Sequence, residues 1–444
     1  MFNDLKELIE YTNNIKGKNF KILNIYNKEI NLIKDKGILG KIVETGFYEY
    51  PNNNLAEADF KNLGVELKVS GYIKNKNGTI RAKERIKLSS INYSDIVNEE
   101  FNFSKLLSKN RKILFIWYEY KKEVNPEDFV ITKYQLYDME NDIKQIENDY
   151  NKILNTIKNG EAHNLSEGMT TYLGACTSGN PKESSYICEQ PNSVYKAKRR
   201  AFSLKNSYIN GILQQDGIIL EADKIDYLSV EDYVSVQMKK YVGKTQVQIL
   251  KILDPKIDYT TKPVPKNIGN MISDRVVGKA KDLIKDNDLF KKTKSIIKNI
   301  PVNDEMLPIE RVSFRTLRLD EFEHDWEDSE WFALFNDFQL VTICYEVKDS
   351  SIKNGYRKYK KTKSFYFTED DLGSAKKSYQ KVQNAIRNKE VLYLPYPKTF
   401  RGQIIEVAPK GQKNDNCYKN FFINNITKVC FMLDKDFVHK KIKE

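Results

Sequence analysis

Two hydrophobic periods alternate along this chain. From Val65 to Val69 apolar and charged residues take turns, so a strand there puts Val65, Leu67 and Val69 on one face and Glu66 and Lys68 on the other. Residues 140–158 instead space Ile143, Ile146, Tyr150, Ile153, Leu154 and Ile157 at helical intervals, ended by Asn159-Gly160. Residues 4–33 read as helix interrupted at Gly17-Lys18, and the stretch from Gly37 to Glu44 is again helical in spacing. Asn77-Gly78, flanked by Ile73 and Ile80, signals a hairpin, and a strand follows from Arg85 to Ile91. Ile113-Leu114-Phe115-Ile116-Trp117-Tyr118 is apolar on both faces, as in a strand lying centrally in a sheet. A short strand then runs into a small polar loop, Tyr172 to Asn180. The pattern predicts an α/β fold, a mixed sheet flanked by helices.

Chemistry concentrates at the first of these strands. Asp59 precedes Glu66 by seven residues across a turn containing Gly64, so both carboxylates can face one pocket together with Lys68. Two carboxylates suit a hard divalent cation such as Mg²⁺ and leave room for waters and a phosphate oxygen. A lysine beside them can activate a water or stabilise charge in the transition state of phosphodiester hydrolysis. The spacing alone arises by chance about once in a chain of this composition. The other reading is an amphipathic edge strand with a solvated charged face.

Composition narrows the choice. Seventy-three Lys and Arg against 61 Asp and Glu give a net charge of +12 over 444 residues, which suits a polyanionic partner. No segment approaches the roughly 18 consecutive apolar residues of a membrane span, and Met1 to Lys6 lacks the apolar core of a signal peptide, so a cytoplasmic protein is expected. The five cysteines (Cys176, Cys188, Cys344, Cys417, Cys430) form no C-x-x-C, and the three histidines (His163, His324, His439) sit in no metal-binding or nucleophilic pattern. Gly243-Lys244-Thr245 mimics the end of a phosphate-binding loop, but Met238 stands where its first glycine belongs, so ATP use is not indicated. Lys196, Lys198, Arg199, Arg200 and Lys205, interleaved with Tyr195 and Phe202, form the densest positive run of the first half, either a phosphate-contacting strip or a solvated face.

The second half repeats the first. Gly17-Lys18 parallels Gly243-Lys244, Gly40-Lys41 parallels Gly278-Lys279, and Glu84-Arg85-Ile86 parallels Glu310-Arg311-Val312. Trp117-Tyr118-Glu119 parallels Cys344-Tyr345-Glu346, and Ala201-Phe202 parallels Phe421-Phe422, the separations running from 220 to 238 residues. With a small gap Lys68 falls on Lys298, Glu66 on Ile296 and Asp59 on about Leu289; without the gap the two carboxylates fall on Lys292 and Lys285. Neither carboxylate survives in either register, so the second copy cannot hold a hard cation in this way. Residues 1–211 are expected to form a catalytic domain, 212–229 a connector, and 230–444 an inactive DNA-binding domain whose basic loop includes Lys410 and Lys413.

Leu39-Gly40 through Glu44, then Asp59, then Gly64-Val65-Glu66-Leu67-Lys68, resembles the MutH branch of the restriction-endonuclease-like superfamily. Leu165 to Leu173 and Lys196 to Lys205 are similar to segments of GATC-cutting type II restriction enzymes built from two MutH-like domains. The resemblance covers nearly the whole chain. It implies that Asp59, Glu66 and the Leu67 carbonyl hold Mg²⁺, that Lys68 positions or activates the water, and that Glu44 orients that water or a second cation. It also implies a second active-site lysine, for which Lys109 is the match and an exposed loop lysine the alternative. The loop after the short strand would read base edges in the major groove; MutH has basic residues there, whereas this chain has Cys176, Thr177 and Ser178. The partners implied are double-stranded DNA, with two GATC sites bound at once, and a cognate DNA methyltransferase that acts on the same sites without a stable complex. Two alternatives stay open: a mismatch-repair nickase of the MutH type, and a non-cutting DNA-binding protein with a relic site.

Overall fold

The computed structural model describes residues 2–32, 34–35, 37–50, 57–74, 78, 80–215, 229–257, 259, 263–277, 293, 295–349, 352–388, 400, 402–409 and 429–443. The chain divides into two compact units, Met1–Asp226 with Lys291–Thr293, and Tyr227–Phe290 with Lys294–Glu444. Among the described residues no helix is long and apolar enough to cross a membrane.

In the first unit the strands are β1 (Val65–Lys74), β2 (Ile80–Ala82), β3 (Ile86–Ile91), β4 (Lys112–Glu119), β5 (Ile131–Asp138), β6 (Leu173–Thr177), β7 (Ile187–Cys188), β8 (Ala197–Lys198) and β9 (Arg200–Leu204). One sheet has the order β2-β1-β4-β5, with β1 parallel to β4 and the other pairs antiparallel. The double-faced apolar run is its interior strand, fully buried from Ile113 to Trp117. Val65 and Leu67 turn into a core closed by Ile38, Leu39, Ile42 and Val43 of the helix Ile38–Gly46. A second sheet, β3-β9-β6, is antiparallel throughout. The helix Lys105–Asn110 is capped by Ser104, whose Oγ accepts the Leu107 amide at 3.2 Å, and it packs against both β1 and β3. It therefore spans the two sheets.

The second unit repeats this plan with β10 (Ser295–Val302), β11 (Val312–Thr316), β12 (Gln339–Glu346), β13 (Lys358–Phe365), β14 (Ile405–Pro409) and β15 (Val429–Leu433). Its sheets run β10-β12-β13 and β11-β15-β14. The registers match residue for residue: Val65 lies opposite Lys112 and Tyr72 opposite Glu119, as Ser295 lies opposite Gln339 and Val302 opposite Glu346. Likewise Ile86 and Leu173 both pair with Leu204, as Val312 and Ile405 both pair with Leu433. A core rich in aromatic rings, among them Phe314, Trp331, Phe335, Tyr379 and Phe431, closes over these strands.

Two of the sequence parallels are corrected by this geometry. The helix Ile268–Val276 buries Ile268, Gly269, Ile272 and Ser273 in the pattern of Ile38, Leu39, Ile42 and Val43, so Gly40-Lys41 corresponds to Asn270-Met271 rather than to Gly278-Lys279. Ala201-Phe202 corresponds to Cys430-Phe431, not to Phe421-Phe422. Insertions between elements had shifted the matching dipeptides out of step. The helix Asn206–Leu213 carries the first unit past residue 211, and residues 216–228 of the expected connector lie outside the described residues.

Candidate active site

The turn that brings Asp59 to the strand is built on Gly64, which holds a left-handed φ of 62° at the end of the short 3₁₀ helix Lys61–Leu63. Phe60 and Val65 close it, the Phe60 amide donating to the Val65 carbonyl at 2.9 Å. Asp59 Oδ2 then accepts the Leu67 amide at 2.8 Å, so the carboxylate is tied to β1 between Glu66 and Lys68. The predicted face is present. Glu66 is 2% exposed, and its Oε1 receives Lys68 Nζ at 2.6 Å and Lys109 Nζ at 3.5 Å. Lys109 reaches it from the last turn of the helix Lys105–Asn110, where its charge also suits the helix end. The loop alternative for Lys109 does not describe it.

The electrostatics follow from this crowding. Burial raises the Glu66 carboxyl above its ordinary range, the Lys68 ammonium pulls it back, and the Asp59 charge adds to the rise. Glu44, on the helix Ile38–Gly46, is pushed up to about 7 by burial first and then by the Asp59 and Glu66 charges, with Lys68 and Lys109 opposing. Five groups named from the sequence thus share one field. Glu66 Oε2 is buried and has no hydrogen-bond partner. A buried carboxylate oxygen left unpaired is costly, and a hard cation bound beside Asp59 and a main-chain carbonyl would supply what it lacks. Among the described residues no three His, Cys, Asp or Glu side chains converge to hold a metal ion.

The region expected to meet DNA divides sharply. Thr177 is exposed at the end of β6, and the half-buried Ser178 accepts a hydrogen bond from Lys87 Nζ at 2.7 Å. Lys196 and Arg199 are exposed and Lys198 is half-buried, with Lys196 paired to the exposed Glu189 at 2.6 Å. Three other residues of the expected interface are turned inward. Cys176 is 6% exposed within β6. Arg200 is 2% exposed, its guanidinium donating to the Ala175 carbonyl at 2.6 Å and the Leu165 carbonyl at 2.5 Å. Lys205 is 3% exposed and donates to the Thr170 carbonyl at 2.8 Å. These cations satisfy buried carbonyls and hold the segment 165–170 to the sheet; they are not available to phosphates. Lys410 and Lys413 lie outside the described residues.

Lys87 was not singled out from the sequence. The signal was there in the alternation of β3, which buries Ile86 and Leu88 and exposes Lys87 beside the polar loop. Arg85, just before that strand, forms an ion pair with Glu167.

Residues 48–149 match the family profile described as DNA mismatch repair enzyme MutH. The chain is also 30% identical over 414 residues to the type II restriction enzyme Sau3AI of Staphylococcus aureus, a span covering 88% of this chain and 80% of that enzyme. The chain belongs to the MutH-like restriction endonucleases. The profile match spans Asp59, Glu66, Lys68 and Lys109 of this restriction endonuclease, and the match to the Staphylococcus enzyme extends over both units in length. In the second unit the matching register puts Ile296 at the place of Glu66 and Lys298 at that of Lys68, and Lys298 Nζ donates to the Ser313 carbonyl at 2.6 Å. Counting back from β12, Asn336 stands where Lys109 does. Among the described residues an acidic residue persists at the place of Glu44, as the exposed Asp274. Leu289 and Lys285, the two positions expected from the sequence at the place of Asp59, lie outside the described residues.

Proposed function

We propose that this restriction endonuclease hydrolyses phosphodiester bonds of duplex DNA at GATC, with Mg²⁺ as cofactor and the first unit as its catalytic domain. The observation that carries the proposal is Glu66: a buried carboxylate with one oxygen against two lysines, the other oxygen unpaired, and Asp59 tied to the same strand. Asp59, Glu66 and the Leu67 carbonyl would hold the cation. Bound there, Mg²⁺ supplies a Lewis acid that neutralises charge developing on the phosphate.

The remaining work falls to the chain. Lys68 and Lys109, each about a fifth exposed, would bring two positive charges to where a phosphate oxygen gains negative charge. Lys68 also orients the attacking water. Glu44, whose carboxyl is pushed up to about 7 by burial and by the Asp59 and Glu66 charges, would orient that water or a second cation. In-line attack leaves a 5′-phosphate. Thr177 and Ser178 would approach base edges in the major groove, with Lys87, Lys198 and Arg199 on phosphates.

The second domain, lacking the Glu66 carboxylate and the Lys109 ammonium, would bind a second GATC copy and stimulate the first as an allosteric effector. A cognate methyltransferase acting on the same sequence in the cytoplasm would protect the host DNA, and no ATP is needed. Asp59→Ala and Lys68→Ala are expected to bind a GATC duplex like the wild type and to lose Mg²⁺-dependent cutting. Either variant cutting at the wild-type rate would sink the assignment.

A further inference from the structure

The hairpin beyond the polar loop carries a feature that hydrolysis does not use. β7 and β8 pair Ile187 with Lys198 and Cys188 with Ala197. The Ser178 amide donates to the Arg199 carbonyl at 2.8 Å, and the Arg199 amide to the Tyr186 carbonyl at 2.6 Å, so loop and hairpin form one ribbon. Its tip is pinned from behind. Gln190 Oε1 accepts the Ala162 amide at 2.6 Å while its Nε2 donates to the Tyr195 carbonyl at 2.6 Å and meets His163 Nδ1 at 3.0 Å. Asn192 Nδ2 donates to the Lys158 carbonyl at 2.9 Å.

On this fixed tip Val194 is 91% exposed and Tyr195 66% exposed. A single exposed apolar side chain needs no partner. Two in succession, on a tip held by four hydrogen-bonded contacts, are presented rather than merely left over. Charge identifies what they face: Lys196, Lys198 and Arg199 lie on the same ribbon, and the Lys196–Glu189 pair, exposed on both sides, gives way readily to a phosphate. A polyanion with apolar faces between its charges fits both features, and duplex DNA has that chemistry.

We infer that Val194 and Tyr195 form an apolar wedge that enters a groove of the duplex flanking the recognition sequence, packs on sugar and base edges, and loosens the adjacent base step. The inference rests on the DNA-cutting function proposed above. Wedges of this kind unstack a step in return for a bent duplex that meets more of the protein. Lys198 and Arg199 would fix the flanking phosphates while the wedge acts.

The test uses the full chain in a Lys68→Ala background, so that DNA stays intact, with 2-aminopurine placed at the base next to GATC. Val194→Ser/Tyr195→Ser is expected to weaken binding about tenfold, with the slope of log Kd against log salt unchanged, and to abolish the fluorescence rise seen on binding without the double change. Lys198→Ala should instead lower that slope by about one and keep the fluorescence rise. Val194→Ser alone, at a side chain almost clear of the protein, should give part of the double effect and guards against misfolding. Unchanged affinity and fluorescence in the double variant would overturn the wedge, as would a loss of affinity accompanied by a lower salt slope. Failure of the Lys68→Ala protein itself to bind GATC duplex would instead remove the parent function.

Discussion

Replacing Glu66 by Gln keeps the shape of the side chain and removes one charge from the middle of the site. Two consequences follow, and they separate activity from stability. Lys68 and Lys109 lose the carboxylate they share, at 2.6 and 3.5 Å, yet each keeps about a fifth of its side chain exposed and can recover water. Glu44 and Asp59 meanwhile lose a negative neighbour that raises the Glu44 proton affinity. These effects oppose each other, so without metal the variant should unfold within about 1–2 kcal/mol of wild type, below the roughly 3–5 kcal/mol for breaking a wholly buried pair. With metal the balance changes. A cation at a hundred times its dissociation constant adds about 2.7 kcal/mol to the wild-type folded state, or several degrees of melting temperature in a domain of this size. In the proposed site the variant lacks one of the cation's ligands and should show little of that rise. Its cutting rate should fall by at least about a thousandfold, some 4 kcal/mol of transition-state stabilisation. Thermal melts in EDTA and in Mg²⁺, with single-turnover cutting of a GATC duplex, read both quantities. Cutting within tenfold of wild type, or an undiminished Mg²⁺-dependent rise in melting temperature, would refute the assignment of Glu66.

Three further outcomes can be checked. Because the folded protein holds a proton on Glu44 up to about pH 7 while the unfolded chain releases it near 4.5, metal-free stability should fall as pH rises through that window. Glu44→Gln should flatten the profile and melt a few degrees higher than wild type at pH 8, and parallel profiles for the two proteins would contradict the shift. Arg200→Ala should cost about 2–4 kcal/mol in urea melts, because it strips donors from the Ala175 and Leu165 carbonyls; an Arg200→Ala protein of full stability with a reduced salt slope for DNA would restore it as a phosphate contact. Lys109→Ala should lower kcat by about 10- to 100-fold with KM little changed, since in the proposed mechanism its charge acts on the transition state, and a pure KM effect would make it a binding residue.

How far the sequence could be read depended on how local the determinant was. The alternation over 65–69 set the two faces of β1 correctly because one strand and a core on one side are enough to do so. Lys109 was harder. Its position follows from a helix of only six residues, signalled by Ser104 as cap and by Leu106-Leu107 turning inward, and a lysine just before a strand looks the same in a loop. The basic run misled for a physical reason: β9 is buried on both faces from Arg200 to Leu204, so the strand that carries the charges also takes some of them inside. The apolar neighbours Ala201, Phe202 and Leu204 were the available hint. Buried arginine needs carbonyl partners from distant segments, Leu165 and Ala175 here, and no local pattern announces them. The duplication was legible in Glu84-Arg85-Ile86 and Trp117-Tyr118-Glu119, which lie in or beside paired strands, and was misaligned where loops of unequal length intervene.

The central claim is that the first unit cuts duplex DNA at GATC with a divalent cation. Its most direct test is digestion of unmethylated plasmids carrying no, one or two GATC sites, in Mg²⁺ and in EDTA, with the product ends sequenced. Cutting confined to GATC, with 5′-phosphate ends, dependent on Mg²⁺ and faster on two sites than on one, is the expected result. Binding to these plasmids without cutting under any of these conditions, or cutting that ignores GATC, would contradict it.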